Sequence, residues 1–259
     1  MSNVLLTGAS RGIGFVVARD LAAAGHQVWL CARGPEVIQA ARMIGSGVRA
    51  SQLDVADAQA VQSTFAEVQQ AWGGIDALVH AAAELGETGP FWELDEARLA
   101  ATLTANTLGS FYVAKAFVGA WLERSKTEDL GQRRGKVVLF AGGGAGYGYP
   151  RFLPYGTSKA AVVRMCETMA LELDAAHIAI DINVIAPGAN ETGMLAQVRA
   201  AGGEVRTVVP FSKPIALNRW LLSSGSDGIS GRFLHVNDAY TAICAASLGT
   251  EAFRLRRSQ

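Results

Sequence analysis

Val4-Leu5-Leu6-Thr7-Gly8-Ala9-Ser10-Arg11-Gly12-Ile13-Gly14 opens the chain, and a helical pattern follows it through Ala24. Three apolar residues in a row suit a short buried strand. Glycines at 8, 12 and 14 let the backbone turn tightly and come close to a ligand. A helix N-terminus behind them presents free N–H groups and a positive dipole end to a phosphate. Strand, glycine loop and helix together describe a dinucleotide site. The spacing is G-x-x-x-G-x-G rather than G-x-G-x-x-G, so the glycines alone also fit a plain tight turn between a strand and a helix.

Outward from this stretch the pattern alternates. Gln27–Ala32 reads as a second strand and residues 36–43 as a helix. Residues 48–53 form a third strand, Ala58–Trp72 a helix, and residues 75–80 a fourth strand. Residues 137–141 and 178–185 read as the fifth and sixth. Strands alternating with helices predict a parallel sheet covered on both faces, a three-layer α/β/α doubly wound domain. The polar stretch 123–135 reads as a loop inserted between a helix and a strand. No repeat, low-complexity tract or linker divides the 259 residues, so residues 1–259 are expected to form a single domain.

Composition excludes several functions. Lys plus Arg number 23 and Asp plus Glu 23, so no bulk field points to nucleic acid or an anionic membrane. No apolar run approaches the ~18 residues of a membrane span. Residues 1–8 lack the basic and apolar regions of a signal peptide. Cys31, Cys166 and Cys244 fit no metal or redox spacing and suit a reducing cytoplasm. His26, His80, His177 and His235 form no cluster, so no metal is expected. A small-molecule substrate remains, with a cytoplasmic location.

A second stretch carries chemistry. Tyr155-Gly156-Thr157-Ser158-Lys159 places a phenol and an ammonium four apart, on one face of a helix. A nearby ammonium favours the phenolate and draws its pKa down from about 10. A tyrosine tuned in that way gives or takes a proton near neutral pH. The same pair also occurs on ordinary solvated helix faces.

Taken together these motifs resemble the classical short-chain dehydrogenase/reductase (SDR) family over essentially the whole chain. Thr7-Gly8…Gly12-Ile13-Gly14 matches its cofactor loop, and Asp54-Val55 its adenine-contacting pair. Asn106 stands where the family carries a catalytic asparagine. Tyr155…Lys159 matches YxxxK, and Pro187-Gly188…Thr192 matches the PGxxxT segment beside the nicotinamide amide. The resemblance implies a Rossmann-like fold and hydride transfer between a nicotinamide cofactor and a carbonyl or secondary alcohol. Tyr155 would be the general acid/base, Lys159 would lower its pKa and hold the ribose, and Asn106 would bind a water linking Lys159 to solvent. Gly8, Ser10, Arg11, Gly12, Ile13, Gly14, Arg33, Asp54, Val55, Ala81, Ala82, Pro187, Gly188, Asn190 and Thr192 would line the cofactor together with Tyr155 and Lys159. Family members usually pair through the helices at about 103–121 and 158–173, which implies a homodimer or homotetramer.

Two departures stand out. The family's substrate-holding serine is replaced by Gly142, the residue before it is Ala141, and no Ser or Thr occurs between 137 and 155. Backbone N–H groups of Gly142-Gly143-Gly144, or the Tyr147 hydroxyl, are the available replacements. A catalytically silent cofactor-binding protein, or an epimerase or dehydratase using the cofactor transiently, are the alternatives. His80-Ala81-Ala82-Ala83 replaces the family's NNAG, and His80 is expected to brace a neighbouring strand. The segment 189–212 is expected to form a largely apolar substrate lid.

The cofactor is read from the end of the second strand. An NAD-binding site places an acidic residue there to accept from the ribose 2′-hydroxyl. Here Ala32 and Arg33 stand instead, and Arg11 lies in the glycine loop. Guanidinium groups suit a phosphate. NADP(H) is expected over NAD(H) by at least about tenfold, although NAD(H) also fits the fold.

Overall fold

The computed structural model describes residues 1–205, 208–249 and 251–255. Seven strands form one all-parallel sheet in the order β3-β2-β1-β4-β5-β6-β7. They are β1 (Asn3–Thr7), β2 (Gln27–Ala32), β3 (Arg49–Gln52), β4 (Ala77–His80), β5 (Gly135–Phe140), β6 (Ile180–Ala186) and β7 (Phe233–His235). Every residue of β4, β5 and β6 is buried, as expected for strands covered on both faces.

Helices α1 (Gly12–Ala23), α2 (Glu36–Ile44), α3 (Ala58–Trp72), α4 (Glu96–Leu103), α5 (Gly109–Ser125), α6 (Leu153–Ala175), α7 (Gly193–Ala200) and α8 (Ser212–Leu221) surround the sheet. Leu5, Leu78 and Leu139 point to one face and pack with Phe65 of α3, Phe117 of α5 and Val162 of α6. Val4, Leu6 and Val79 point to the other and pack with Val17 of α1, Val37 of α2 and Leu217 of α8. The alternation of side chains along each strand thus builds two cores and three layers. Among the described residues no helix is long and apolar enough to cross a membrane.

The structure departs from the expected pattern in three places. The single helix expected at 103–121 is interrupted: α4 ends at Leu103, a π-helical turn covers Thr104–Leu108, and α5 follows. α6 begins at Leu153, where Pro154 sits in its first turn without an unmet N–H. β7, three residues long, had no signal in the sequence.

Candidate active site

The glycine loop is a close-packed cradle. Gly8 has φ +69°, and a Cβ there would lie 2.4 Å from the Ala82 nitrogen. A Cβ on Gly14 would lie 2.3 Å from the Gly8 oxygen. Gly12, at φ +60°, faces the methyl of Thr192 across the cleft. α1 starts at Gly12 and, among the described residues, no side chain caps it, so its first N–H groups are left for the cleft. Ser10 and Ile13 are half-buried beside the loop, and Arg11 is exposed.

The segment following β4 is fixed to the loop. Ala81 donates its N–H to the Thr7 oxygen at 3.1 Å. His80 Nδ1 lies 2.6 Å from Thr7 Oγ1, joining the ends of β4 and β1 as expected for a brace. Burial, with a smaller contribution from the Lys159 charge, holds this imidazole down at about 3. His80 is therefore a neutral brace at physiological pH.

On the opposite face the π turn before α5 and the start of α6 bring the expected catalytic residues together. Asn106, fully buried in the π turn, commits both amide hydrogens and one lone pair of its oxygen: Oδ1 accepts from the Glu84 N–H (2.9 Å), and Nδ2 donates to the Glu84 oxygen (2.8 Å) and to Ser158 Oγ (3.0 Å). Ser158 Oγ in turn donates to the Tyr155 main-chain carbonyl at 2.8 Å. The Asn106 main-chain carbonyl accepts from Ser110 Oγ at 2.6 Å. The asparagine side chain thus holds protein groups, with no amide hydrogen left over for the expected water.

Lys159 is buried, and its ammonium donates to the Phe140 oxygen at 2.8 Å. It lies 5.8 Å from the centroid of the Tyr155 ring. Burial lowers the lysine to about 8 and pushes the tyrosine up to about 12. The tyrosine shift is opposite to the one expected from the ammonium, because loss of water around the phenol dominates. A Cβ built on Gly142 would lie 3.0 Å from the Tyr155 hydroxyl. The Tyr155 hydroxyl therefore lies against the space a side chain at position 142 would enter.

The far wall is the segment Pro187 to Thr192. Asn190 is buried; its Nδ2 donates to the Pro187 and Gly188 oxygens at 2.8 and 3.0 Å, and its Oδ1 has no donor among the described residues. Thr192 caps α7 through Leu195. The expected lid is tied at its base by a bridge between Ala189 and Val208, and Arg206 and Thr207 within it lie outside the described residues. Tyr149 donates to the Glu204 oxygen at 2.8 Å and stacks on Phe152, so the end of the lid rests on the loop after the glycine run. A cavity of about 860 Å³ opens there, lined by Phe91, Trp92, Gly144, Tyr147, Tyr149 and Gly156 among others. The Tyr147 ring, half exposed, belongs to this apolar wall.

At the expected adenosine end Val55 is buried against Gly109, where a Cβ would lie 2.9 Å from a Val55 methyl. The Asp54 carboxylate is exposed and accepts from the Ala56 N–H at 3.0 Å. Arg33 is paired with Glu84 at 3.7 Å. Sequence reasoning missed Glu84; its one signal is its place directly after the 80–83 segment.

The site is thus a close-packed glycine loop at the carboxyl ends of a doubly wound sheet, beside a buried Tyr–Lys pair. The tight glycines, the uncapped helix and the unpartnered Asn190 oxygen fit a nicotinamide dinucleotide. Residues 2–202 match the family model for short chain dehydrogenase. A granaticin polyketide synthase putative ketoacyl reductase from Streptomyces violaceoruber is 33% identical over 199 residues, covering 75% of this chain and 70% of the relative. The 3-oxoacyl-[acyl-carrier-protein] reductase MabA of Mycobacterium bovis is 30% identical, covering 74% and 70%. The crystal structure of a single-residue variant of actinorhodin polyketide ketoreductase with NADPH superposes with TM-score 0.81 at 27% identity, covering 93% and 98%. NAD+-bound xylitol dehydrogenase superposes with TM-score 0.77 at 26% identity, covering 90% and 96%. The chain belongs to the short-chain dehydrogenase/reductase family, oxidoreductases that bind NAD(P).

Proposed function

We propose that this chain reduces a carbonyl on a small molecule to a secondary alcohol, using NADP(H). The observation that carries this is the Tyr155 hydroxyl seated at Gly142, with Lys159 buried one turn behind it. The cofactor, when bound, supplies the hydride. Tyr155 donates the proton to the alkoxide; a phenol at about 12 is protonated at neutral pH and ready to do so. Lys159, at about 8, is a second proton source close behind it. Asn106 positions α6 by holding Ser158 and the Glu84 main chain. Its side-chain carbonyl keeps one lone pair for a water between Lys159 and solvent.

The main chain at Gly8, Ser10, Gly12, Ile13 and Gly14 takes the pyrophosphate, and Ala81 and Ala82 take the adenosine ribose. Pro187, Gly188, Asn190 and Thr192 face the carboxamide. Val55 and Asp54 border the adenine. Arg33 and Arg11 take the 2′-phosphate, which favours NADP(H). Two named ketoacyl reductases among the relatives and the apolar cavity support a ketoacyl substrate. With no hydroxyl at Gly142, the carbonyl oxygen is held by N–H groups of the glycine run.

The missing hydroxyl favours one other reading, a cofactor-binding protein without turnover. Consumption of NADPH with a β-keto thioester separates the two. Steady loss of reduced nicotinamide, faster than with NADH and abolished in Tyr155→Phe, is the expected result. Tight NADPH binding without turnover on a panel of ketones would replace the enzymatic reading with the silent one.

A further inference from the structure

Arg33 follows β2, Glu84 follows β4 by a few residues, and these strands flank β1. Their ion pair, Nη1 to Oε2 at 3.7 Å, therefore crosses the end of β1, where the glycine loop emerges. Strands two places apart are separated by about 9.5 Å, a span that an arginine and a glutamate cover between them. The two members differ in freedom. Glu84 is gripped through its main chain by Asn106, and its Oε1 accepts from Thr102 Oγ1 at 3.2 Å. Arg33 is 72% exposed and makes the pair from a loop.

We propose that Glu84 is a cofactor-selectivity residue: its carboxylate competes with the 2′-phosphate of an adenine nucleotide for the Arg33 guanidinium. This rests on the reading of Arg33 as the phosphate-binding residue. Carboxylate and phosphate offer a guanidinium the same paired acceptors, so each displaces the other from its face. A 2′-phosphate must break the pair and then lie near a fixed negative charge. A 2′-hydroxyl meets no such opposition and gains an acceptor in Glu84. Glu84 thus narrows the gap between NADP(H) and NAD(H) that Arg33 and Arg11 open.

Calorimetric titration of the full chain with 2′,5′-ADP and with 5′-ADP isolates the adenosine end from the chemistry. Wild type, Glu84→Gln, Arg33→Ala and the double variant form the cycle. Glu84→Gln is nearly isosteric and keeps an acceptor for Thr102. Competition with one partly exposed ion pair predicts that it binds 2′,5′-ADP about three- to fivefold more tightly. Affinity for 5′-ADP should stay the same or fall, and the gain for 2′,5′-ADP should vanish in the Arg33→Ala background. Glu84→Asp, which withdraws the carboxylate by one methylene, should move in the same direction by less and serves if the glutamine variant does not fold. Unchanged or weaker 2′,5′-ADP binding in Glu84→Gln, or a gain that survives Arg33→Ala, overturns the competition. A wild type that prefers 2′,5′-ADP while Glu84→Gln changes nothing overturns it and leaves NADP(H) standing. No preference in either protein overturns both.

Discussion

At Gly142 the absence of a side chain decides where Tyr155 can be. A Cβ 3.0 Å from the phenol oxygen is tighter than ordinary contact, so a serine there must push the ring or shift the loop. An off-rotamer tyrosine costs about 0.5–1.5 kcal/mol, and misplaced proton transfer adds to it. Gly142→Ser is therefore expected to slow reduction roughly tenfold, even though the family resemblance expects a serine there; faster turnover on the native substrate would show the position is vacant rather than used. Tyr155→Phe removes only the proton donor, so turnover should fall by about 10²–10⁴ while cofactor affinity stays within about twofold. Near-wild-type turnover in that variant would overturn the role of the phenol. Lys159 gives a pH signature in stability. Its pKa falls from 10.5 to about 8 on folding, so the unfolded chain binds more protons between those values and stability rises with pH across that window. Tyr155 acts in the opposite sense and later, its contribution being lost from pH 10 to about 12. Urea midpoints should climb from pH 8 to 10 in wild type and lose that climb in Lys159→Met; a wild-type profile as flat as the variant's would mean the ammonium is not desolvated.

The strand–loop–helix unit at the N-terminus holds together because two stretches of main chain run in contact. Gly14 is the tightest point: an added methyl would sit 2.3 Å from the Gly8 oxygen. Overpacking of that kind costs about 1–3 kcal/mol. It would also move the first N–H groups of α1, so Gly14→Ala should melt earlier and lose at least about tenfold in 5′-ADP affinity. A variant with wild-type melting and binding would show that α1 can slide without consequence. This unit was legible because each residue's task is local: apolar strand, tight turn, free helix end. β2 was legible to the residue, and the runs of β5 and β6 were clear because both of their faces are covered. The π turn at Thr104–Leu108 was not, since helix and π turn share one apolar pattern; the interruption follows from Asn106 engaging Glu84 and Ser158, long-range partners that spacing does not reveal. β7 is too short for a period, and it exists because β6 offers Val184 to Ala186 an edge to pair. His80 was readable as a brace because a two-nitrogen ring at a strand end needs a partner. The direction of the Tyr155 shift was not, because sequence shows the charge four residues away and not the water lost around the phenol. Glu84 was invisible for the same reason as the π turn: its meaning lies in Asn106 and Arg33.

At the scale of the whole molecule, one sheet cannot cover all the apolar surface its helices carry. The inner sides of α5 and α6 are buried in the core through Val113, Phe117, Val162 and Cys166. Their outer sides still expose Phe111 (38%), Leu122 (37%) and Leu171 (56%), with Leu108 (43%) in the preceding turn. Helices apolar on two sides need two partners. A two-fold interface uses each such residue twice, so this set doubles to a sizeable apolar patch. Burying a large apolar side chain contributes about 1.5–3 kcal/mol, against an association cost of about 4–15 kcal/mol. These residues are 37–56% exposed, so the gain still available is of the same size as the cost, and the unmet apolar faces make a homodimer, or half of a homotetramer, the expected assembly. Sedimentation of the full chain should then show at least twice the 27.2 kDa of one chain. Leu171→Arg, which places a charge on the most exposed large apolar residue of α6, should release the 27.2 kDa species. Tyr155 and Lys159 lie on that same helix, so the released monomer should also turn over more slowly, without loss of cofactor affinity. A wild type that sediments only at 27.2 kDa would remove the assembly. A Leu171→Arg protein that keeps both its size and its rate would move the contact to another face, away from the helix that carries Tyr155 and Lys159.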